Sequence, residues 1–143
     1  MNKTIPAIGV LVTHGGEVLL VKHKPKAEHL TGVYGLPAGR LEQNESLVTG
    51  AARELFEETG LVAKEEDLLH LPHVFYAEIE RKGGETVYFK WDVFVAKKFR
   101  GVLKESDETS PEWVEISQVS KLNLLPNTEN AIQKGLQLLQ DES

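Results

Sequence analysis

The chain has 143 residues and no cysteine, which excludes disulfides, thiolate catalysis and cysteine-based zinc sites. Its net charge of −6 argues against a polymeric nucleic-acid partner, and it means that an anionic substrate would need bound cations. No apolar run approaches the roughly 20 residues that span a bilayer, and the opening MNKTIPAIGV lacks a signal-peptide pattern. The expectation is one domain over residues 1–143, cytoplasmic, with no membrane partner.

Taken in chain order, residues 7–13 and 17–23 read as strands joined by a turn at His14-Gly15-Gly16. Residues 24–40, rich in Pro, Gly and Lys, read as a long loop, and such a loop in a compact domain is usually functional. A helix is expected over 46–58, stopped by Gly60. Two longer strands follow, about 72–82 and 85–98, turned by Lys82-Gly83-Gly84-Glu85. On the second, Val87, Phe89, Trp91, Val93 and Val95 alternate with Tyr88, Lys90, Asp92 and Phe94. Residues 100–112 read as a loop, and Trp113-Val114-Glu115-Ile116 as a short strand or turn. A last helix over 128–140 carries Ala131, Ile132, Leu136 and Leu139 at helical spacing. Strands, helix, strands, helix suggests an α/β protein, a mixed sheet with helices packed on it.

The first helix breaks local rules. At 3.6 residues per turn Glu54, Glu57 and Glu58 fall within an arc of about 100°, while Val48, Ala52, Leu55 and Phe56 form a separate apolar face. Like charges at this spacing repel by a few tenths of a kcal/mol per pair. Glu57 and Glu58 also lie in the last turn, where the helix dipole disfavours anions by roughly 0.3–1 kcal/mol each. Arg53 offsets part of this through Glu57 at i+4. A solvated acidic face is the bland explanation. The functional one is a rigid cluster of hard oxygen ligands for Mg²⁺, completed by waters and substrate phosphates.

These residues resemble the Nudix box: Gly, five residues, Glu, seven residues, then Arg-Glu-apolar-any-Glu-Glu-any-Gly-apolar. The chain supplies Gly39, Glu45 and Arg53-Glu54-Leu55-Phe56-Glu57-Glu58-Thr59-Gly60-Leu61, without departure, over residues 39–61. Seven fixed positions match by chance on the order of 10⁻⁹ per start site. The resemblance implies an α/β/α sandwich around a mixed sheet. It implies a Mg²⁺- or Mn²⁺-dependent hydrolase that cleaves the diphosphate linkage of a nucleotide-like small molecule, as monomer or homodimer. By position, Glu57 and Glu58 bind metal, Glu54 binds metal or orients water, and the Ala38 carbonyl is a further ligand. Gly39, Glu45, Arg53 and Gly60 hold the loop–helix–loop together. Many relatives carry Pro-Gly-Gly where this chain has Pro37-Ala38-Gly39, which matters only if position 38 needs a positive φ.

Outside the box, relatives add a carboxylate from a loop before the last strand. Glu108 is the first candidate, with Glu105, Asp107 and Glu112 as rivals and a solvated loop acid as the alternative. Lys22, Lys24 and Arg40 are candidate phosphate contacts or plain surface cations. Asn127 stands where MutT-type triphosphatases place a purine-reading Asn, and it equally suits a helix cap. Tyr76, and Tyr34 beside it, are candidates for stacking on a base or for packing. The five histidines lack metal spacing and read as incidental. The expected substrate is a nucleoside triphosphate, plain or base-oxidised, cleaved to monophosphate and pyrophosphate. Dinucleoside polyphosphates, ADP-ribose and a non-catalytic nucleotide-sensing role remain as alternatives.

Overall fold

The computed structural model describes residues 3–27 and 29–142. In chain order its elements are β1 (Thr4–Leu11), β2 (Thr13–His14), β3 (Glu17–His23), β4 (Tyr34–Gly35), β5 (Ala38–Arg40), α1 (Leu47–Thr59), β6 (Leu61–Val62), β7 (Leu68–Glu80), β8 (Thr86–Ala96), β9 (Arg100–Gly101), β10 (Thr109–Glu115) and α2 (Thr128–Asp141). Two short 3₁₀ turns, Glu65–Asp67 and Ile116–Lys121, complete it.

One sheet runs β5-β1-β8-β7, with β1 and β8 parallel and the other pairs antiparallel, so it is mixed as expected. A second runs β10-β3-β2, with β4 also on β3. Period two sorts β1 onto two cores. Ile8, Val10 and Val12 join Ala51 and Leu55 of α1, while Ala7 and Leu11 join Trp91, Phe75 and the Ala131 and Ile132 of α2. Helices on both faces leave the central strands buried on both sides, which is why β1 reads as a near-continuous apolar run.

Several boundaries differ from expectation, three of them for evident physical reasons. β7 begins at Leu68 rather than 72, because the edge strand absorbs Pro72 in an irregularity between His70 and Val74. The expected loop over 24–40 contains β4 and β5, short pairings that only tertiary contact creates. The expected loop over 100–112 ends early, since Thr109 already pairs with His23 across β10 and β3.

Helix α1 starts one residue later than expected, at Leu47, with the Ser46 hydroxyl accepting from the Thr49 N–H at 3.3 Å. It ends at Gly60, whose φ of 84° and N–H to the Phe56 carbonyl make a left-handed cap. The expected faces are partly inverted. Phe56 is 57% exposed, whereas Glu54 is 9% exposed, so an acidic residue and not Phe56 turns inward.

Candidate active site

A cleft of about 540 Å³ runs along the inner end of the two sheets. It is lined by the carboxylates of α1 and by Phe89 and Trp91 of β8 and Ala77 and Ile79 of β7. The acidic part is built around Arg53. Its Nε donates to Glu45 Oε2 at 2.7 Å, Nη1 to Glu54 Oε1 at 2.7 Å and Glu57 Oε2 at 3.1 Å, and Nη2 to Glu45 Oε1 at 2.8 Å and the Arg40 carbonyl at 3.0 Å. All five N–H groups are thereby used. The bidentate pair with Arg53 pulls the Glu45 carboxyl down to about 2.

Gly39 is glycine because of close approach. A side chain there would occupy the space filled by the Glu54 carboxylate. Ala38 is not among the residues with positive φ, so its side chain costs no strain. Burial raises the Glu54 carboxyl in spite of Arg53. Burial also pushes Glu58 up to about 7; the like charges of Glu54, Glu108 and Glu57 add to this, and a hydrogen bond from Thr109 Oγ1 at 2.9 Å opposes it. Glu57 is the exposed member, with its side chain 55% accessible.

Ala38, Gly39, Arg40, Glu54, Glu57, Glu58 and Glu108 thus come together on one cleft. Of the rival loop acids, Asp107 also lines it, whereas Glu105 pairs with Lys24 at 3.5 Å and Glu112 takes the Tyr34 hydroxyl at 3.3 Å. Lys24 is engaged in holding the Glu108 loop. Its N–H donates to the Glu108 carbonyl at 2.7 Å and its Nζ to the Ser106 carbonyl at 2.9 Å.

Lys22, Tyr76 and Asn127 do not line the cleft. Lys22 alternates with the buried Val21 and His23 and lies 5.9 Å from the Tyr34 ring centre. Tyr76 is 63% exposed between the inward Phe75 and Ala77. Asn127 adopts φ 67°, makes no side-chain cap, and donates its amide to the Tyr76 carbonyl at 2.6 Å, a tether between α2 and the edge strand. The cleft instead holds residues that sequence reasoning passed over: His23, His29, Arg81, Phe89, Trp91 and Thr109. His23 and His29 meet edge-on at 4.8 Å; burial lowers His23, and its Nδ1 donates to the Val33 carbonyl at 2.9 Å. The alternation on β8 marked Phe89 and Trp91 as inward-facing, but nothing in it separates a cleft wall from a core.

Among the described residues no group of three carboxylates or histidines is already converged on a metal position. Arg53 holds Glu54 Oε1 and Glu57 Oε2 to itself. The donor set nevertheless suits a hard divalent cation. It is all oxygen, Glu57 is largely exposed, and the buried Glu54 and half-buried Glu58 are both shifted up by burial, which a cation would reverse.

A mixed sheet between two helices, with one helix aiming buried glutamates into a cleft at the sheet end, defines a class of carboxylate-lined α/β/α site. The NUDIX domain model matches residues 3–136, and the chain belongs to the Nudix hydrolase family. It is 32% identical over 123 residues to the 8-oxo-dGDP phosphatase of Homo sapiens, covering 86% of this chain but 34% of that protein. It is 32% identical over 111 residues to the oxidized purine nucleoside triphosphate hydrolase of Danio rerio, covering 77% of this chain and 65% of that one. The chain therefore spans about a third of the human relative's length. Among solved structures, the MutT NUDIX hydrolase of Burkholderia pseudomallei superposes with a TM-score of 0.75 at 24% identity over 93% of this chain and 98% of that one, a likeness of fold.

Proposed function

We propose that the chain is a divalent-cation-dependent hydrolase that cleaves the diphosphate linkage of a nucleoside di- or triphosphate carrying an oxidised purine, leaving the monophosphate. The observation that carries this reading is the continuity of the cleft, from the α1 carboxylates to the Phe89 and Trp91 wall. An anionic phosphate chain and a flat apolar base are the two parts of a nucleotide that such a lining receives. The names of the human and zebrafish relatives support the oxidised purine.

Glu54, Glu57, Glu58 and the Ala38 carbonyl would hold Mg²⁺ or Mn²⁺. When bound, that cation neutralises phosphate charge and activates water for attack at phosphorus. The chain's own residues do the rest. Arg40, exposed at the mouth, binds phosphate oxygens from a backbone fixed by Arg53. Glu108, exposed on its pinned loop, faces the same space and is placed to take up a proton from water. The apolar wall orients the base and keeps water from it.

Steady-state hydrolysis with Mg²⁺, and again with EDTA, over oxidised and plain purine di- and triphosphates, ADP-ribose and dinucleoside polyphosphates tests the reading. The expected result is cation-dependent turnover, with kcat/KM for oxidised purine polyphosphates at least about tenfold above ADP-ribose and dinucleotides. Preferred cleavage of ADP-ribose overturns the substrate; no turnover of any nucleotide overturns the hydrolase.

A further inference from the structure

The one hydrogen bond of the Glu58 side chain among the described residues comes from outside the box: Thr109 Oγ1 donates to Glu58 Oε2 at 2.9 Å, across 51 residues of sequence. Thr109 is 1% exposed, at the first position of β10, where it pairs with His23 on β3. Its hydroxyl is itself oriented. Ser106 Oγ lies 2.9 Å from Thr109 Oγ1. Cation binding requires Glu58 ionised, and an ionised carboxylate can only accept, so in that state the Thr109 proton points at Glu58 and the proton between the two hydroxyls comes from Ser106. Ser106 Oγ in turn accepts the Thr109 N–H at 2.9 Å and the Glu108 N–H at 3.3 Å. The result is a one-way chain: backbone N–H to Ser106, Ser106 to Thr109, Thr109 to Glu58.

We infer that Thr109, oriented by Ser106, is a positioning residue that fixes the Glu58 carboxylate for cation binding. The inference rests on Glu58 being a cation ligand, as proposed above. Glu58 has no arginine to orient it: Arg53 bonds Glu45, Glu54 and Glu57 but not Glu58. A half-buried carboxylate with one oxygen fixed keeps the other available for a cation. Hydrogen-bonding partners of this kind behind a metal ligand typically control affinity or rate by about 10–100-fold. The same Ser106 hydroxyl receives the Glu108 N–H, so the chain couples the placement of Glu58 to that of Glu108.

The test compares Thr109→Ser, which keeps the hydroxyl, with Thr109→Val, which keeps the volume, and Thr109→Ala, which adds none. Mn²⁺ binding is read by electron paramagnetic resonance on the substrate-free protein, and kcat and KM are measured in parallel on the best nucleotide. Thr109→Val and Thr109→Ala are expected to weaken Mn²⁺ binding and to lower kcat by about tenfold or more, with KM for the nucleotide within twofold at saturating cation. Thr109→Ser is expected to stay within about threefold of wild type on both readouts. If either hydroxyl-free variant binds Mn²⁺ and turns over as well as Thr109→Ser, the positioning role is overturned. Should one hydroxyl-free variant not fold, the other carries the comparison. A wild type that binds Mn²⁺ but cleaves no nucleotide overturns the hydrolase and leaves the Mn²⁺ comparison to decide the role of Thr109.

Discussion

Two glutamates of the box, Glu45 and Glu58, have the same chemistry and opposite surroundings. Glu45 receives both faces of the Arg53 fork, and its carboxyl lies at about 2. Glu58 is half-buried beside Glu54, Glu57 and Glu108 with one neutral hydroxyl for a partner, and its carboxyl is pushed up to about 7. The contrast divides the box into a self-satisfied end and a charge-deficient end. At the first, anion and cation are matched within the chain and contribute structure. At the second, a half-buried carboxylate among like charges lacks a cationic partner, and the arrangement suits a cation from solution. A single arginine with five donors sets the division, because its N–H groups run out before they reach Glu58.

The largest effect is expected from breaking the charge-deficient end. Glu58→Gln should lower kcat by about 100-fold or more, the several kcal/mol of charge stabilisation that a bound ion supplies. In EDTA its melting temperature should rise or stay level, since a half-buried repelling carboxylate is gone. Steady-state kinetics and thermal unfolding check both halves; a fall in stability comparable to the fall in rate would place Glu58 at the structural end.

Arg53→Ala should do the reverse. It strands Glu45 and Glu54, and a loss of about 3 kcal/mol is expected, the lower part of the range for buried pairs because Arg53 is partly exposed. Denaturant unfolding at neutral pH measures it. Activity should fall as well, because Glu54 and Glu57 lose their common anchor. An unchanged unfolding midpoint with lost activity would give Arg53 a direct chemical role instead.

Gly39→Ala joins the two ends, since its added methyl meets the Glu54 carboxylate. Overpacking of this kind costs about 1–3 kcal/mol. Circular-dichroism melting should show that loss, and kcat should drop more than tenfold as Glu54 is displaced. The smallest effect is expected at Asn127→Ala. Its amide bonds Tyr76 off the cleft, so purine preference and kcat/KM should change less than about twofold. A selective loss of purine turnover would bring Asn127 back to the base.

Much of the charge-deficient end was legible in the sequence because it violates local preference: three glutamates in one arc, two of them in a last helical turn. Conflict between levels marks function. The direction of that arc was not legible. Periodicity alone put Phe56 inward, whereas packing against β5 and β10 buried Glu54 and left Phe56 exposed. The rest of the cleft was hidden for another reason. His23, Trp91 and Thr109 lie far apart in sequence, and strand register alone brings them to one cleft. Lys22 and Tyr76 show the same parity working in the other direction, because one residue along a strand changes the face. Asn127, placed by resemblance to a purine reader or a cap, makes no side-chain cap: its backbone is left-handed and its amide donates to the Tyr76 carbonyl of β7.

The central claim is that Glu58 is half-buried among like charges without a matching cation until one arrives, and thermal unfolding against pH tests it most directly. A carboxyl raised from 4.5 to about 7 by folding holds its proton in the folded state across that window. Its contribution to stability is complete below about 4.5 and is lost as pH rises through 7. His23, which burial lowers, changes in the opposite sense as pH falls, but it is common to wild type and Glu58→Gln and cancels in their difference. In EDTA, the melting temperature of wild type relative to Glu58→Gln should therefore fall steadily from pH 4.5 to 7.5. Saturating Mg²⁺ should recover that loss for wild type and not for the variant. A difference that stays flat with pH, or a Mg²⁺ gain equal in both proteins, would contradict the assignment.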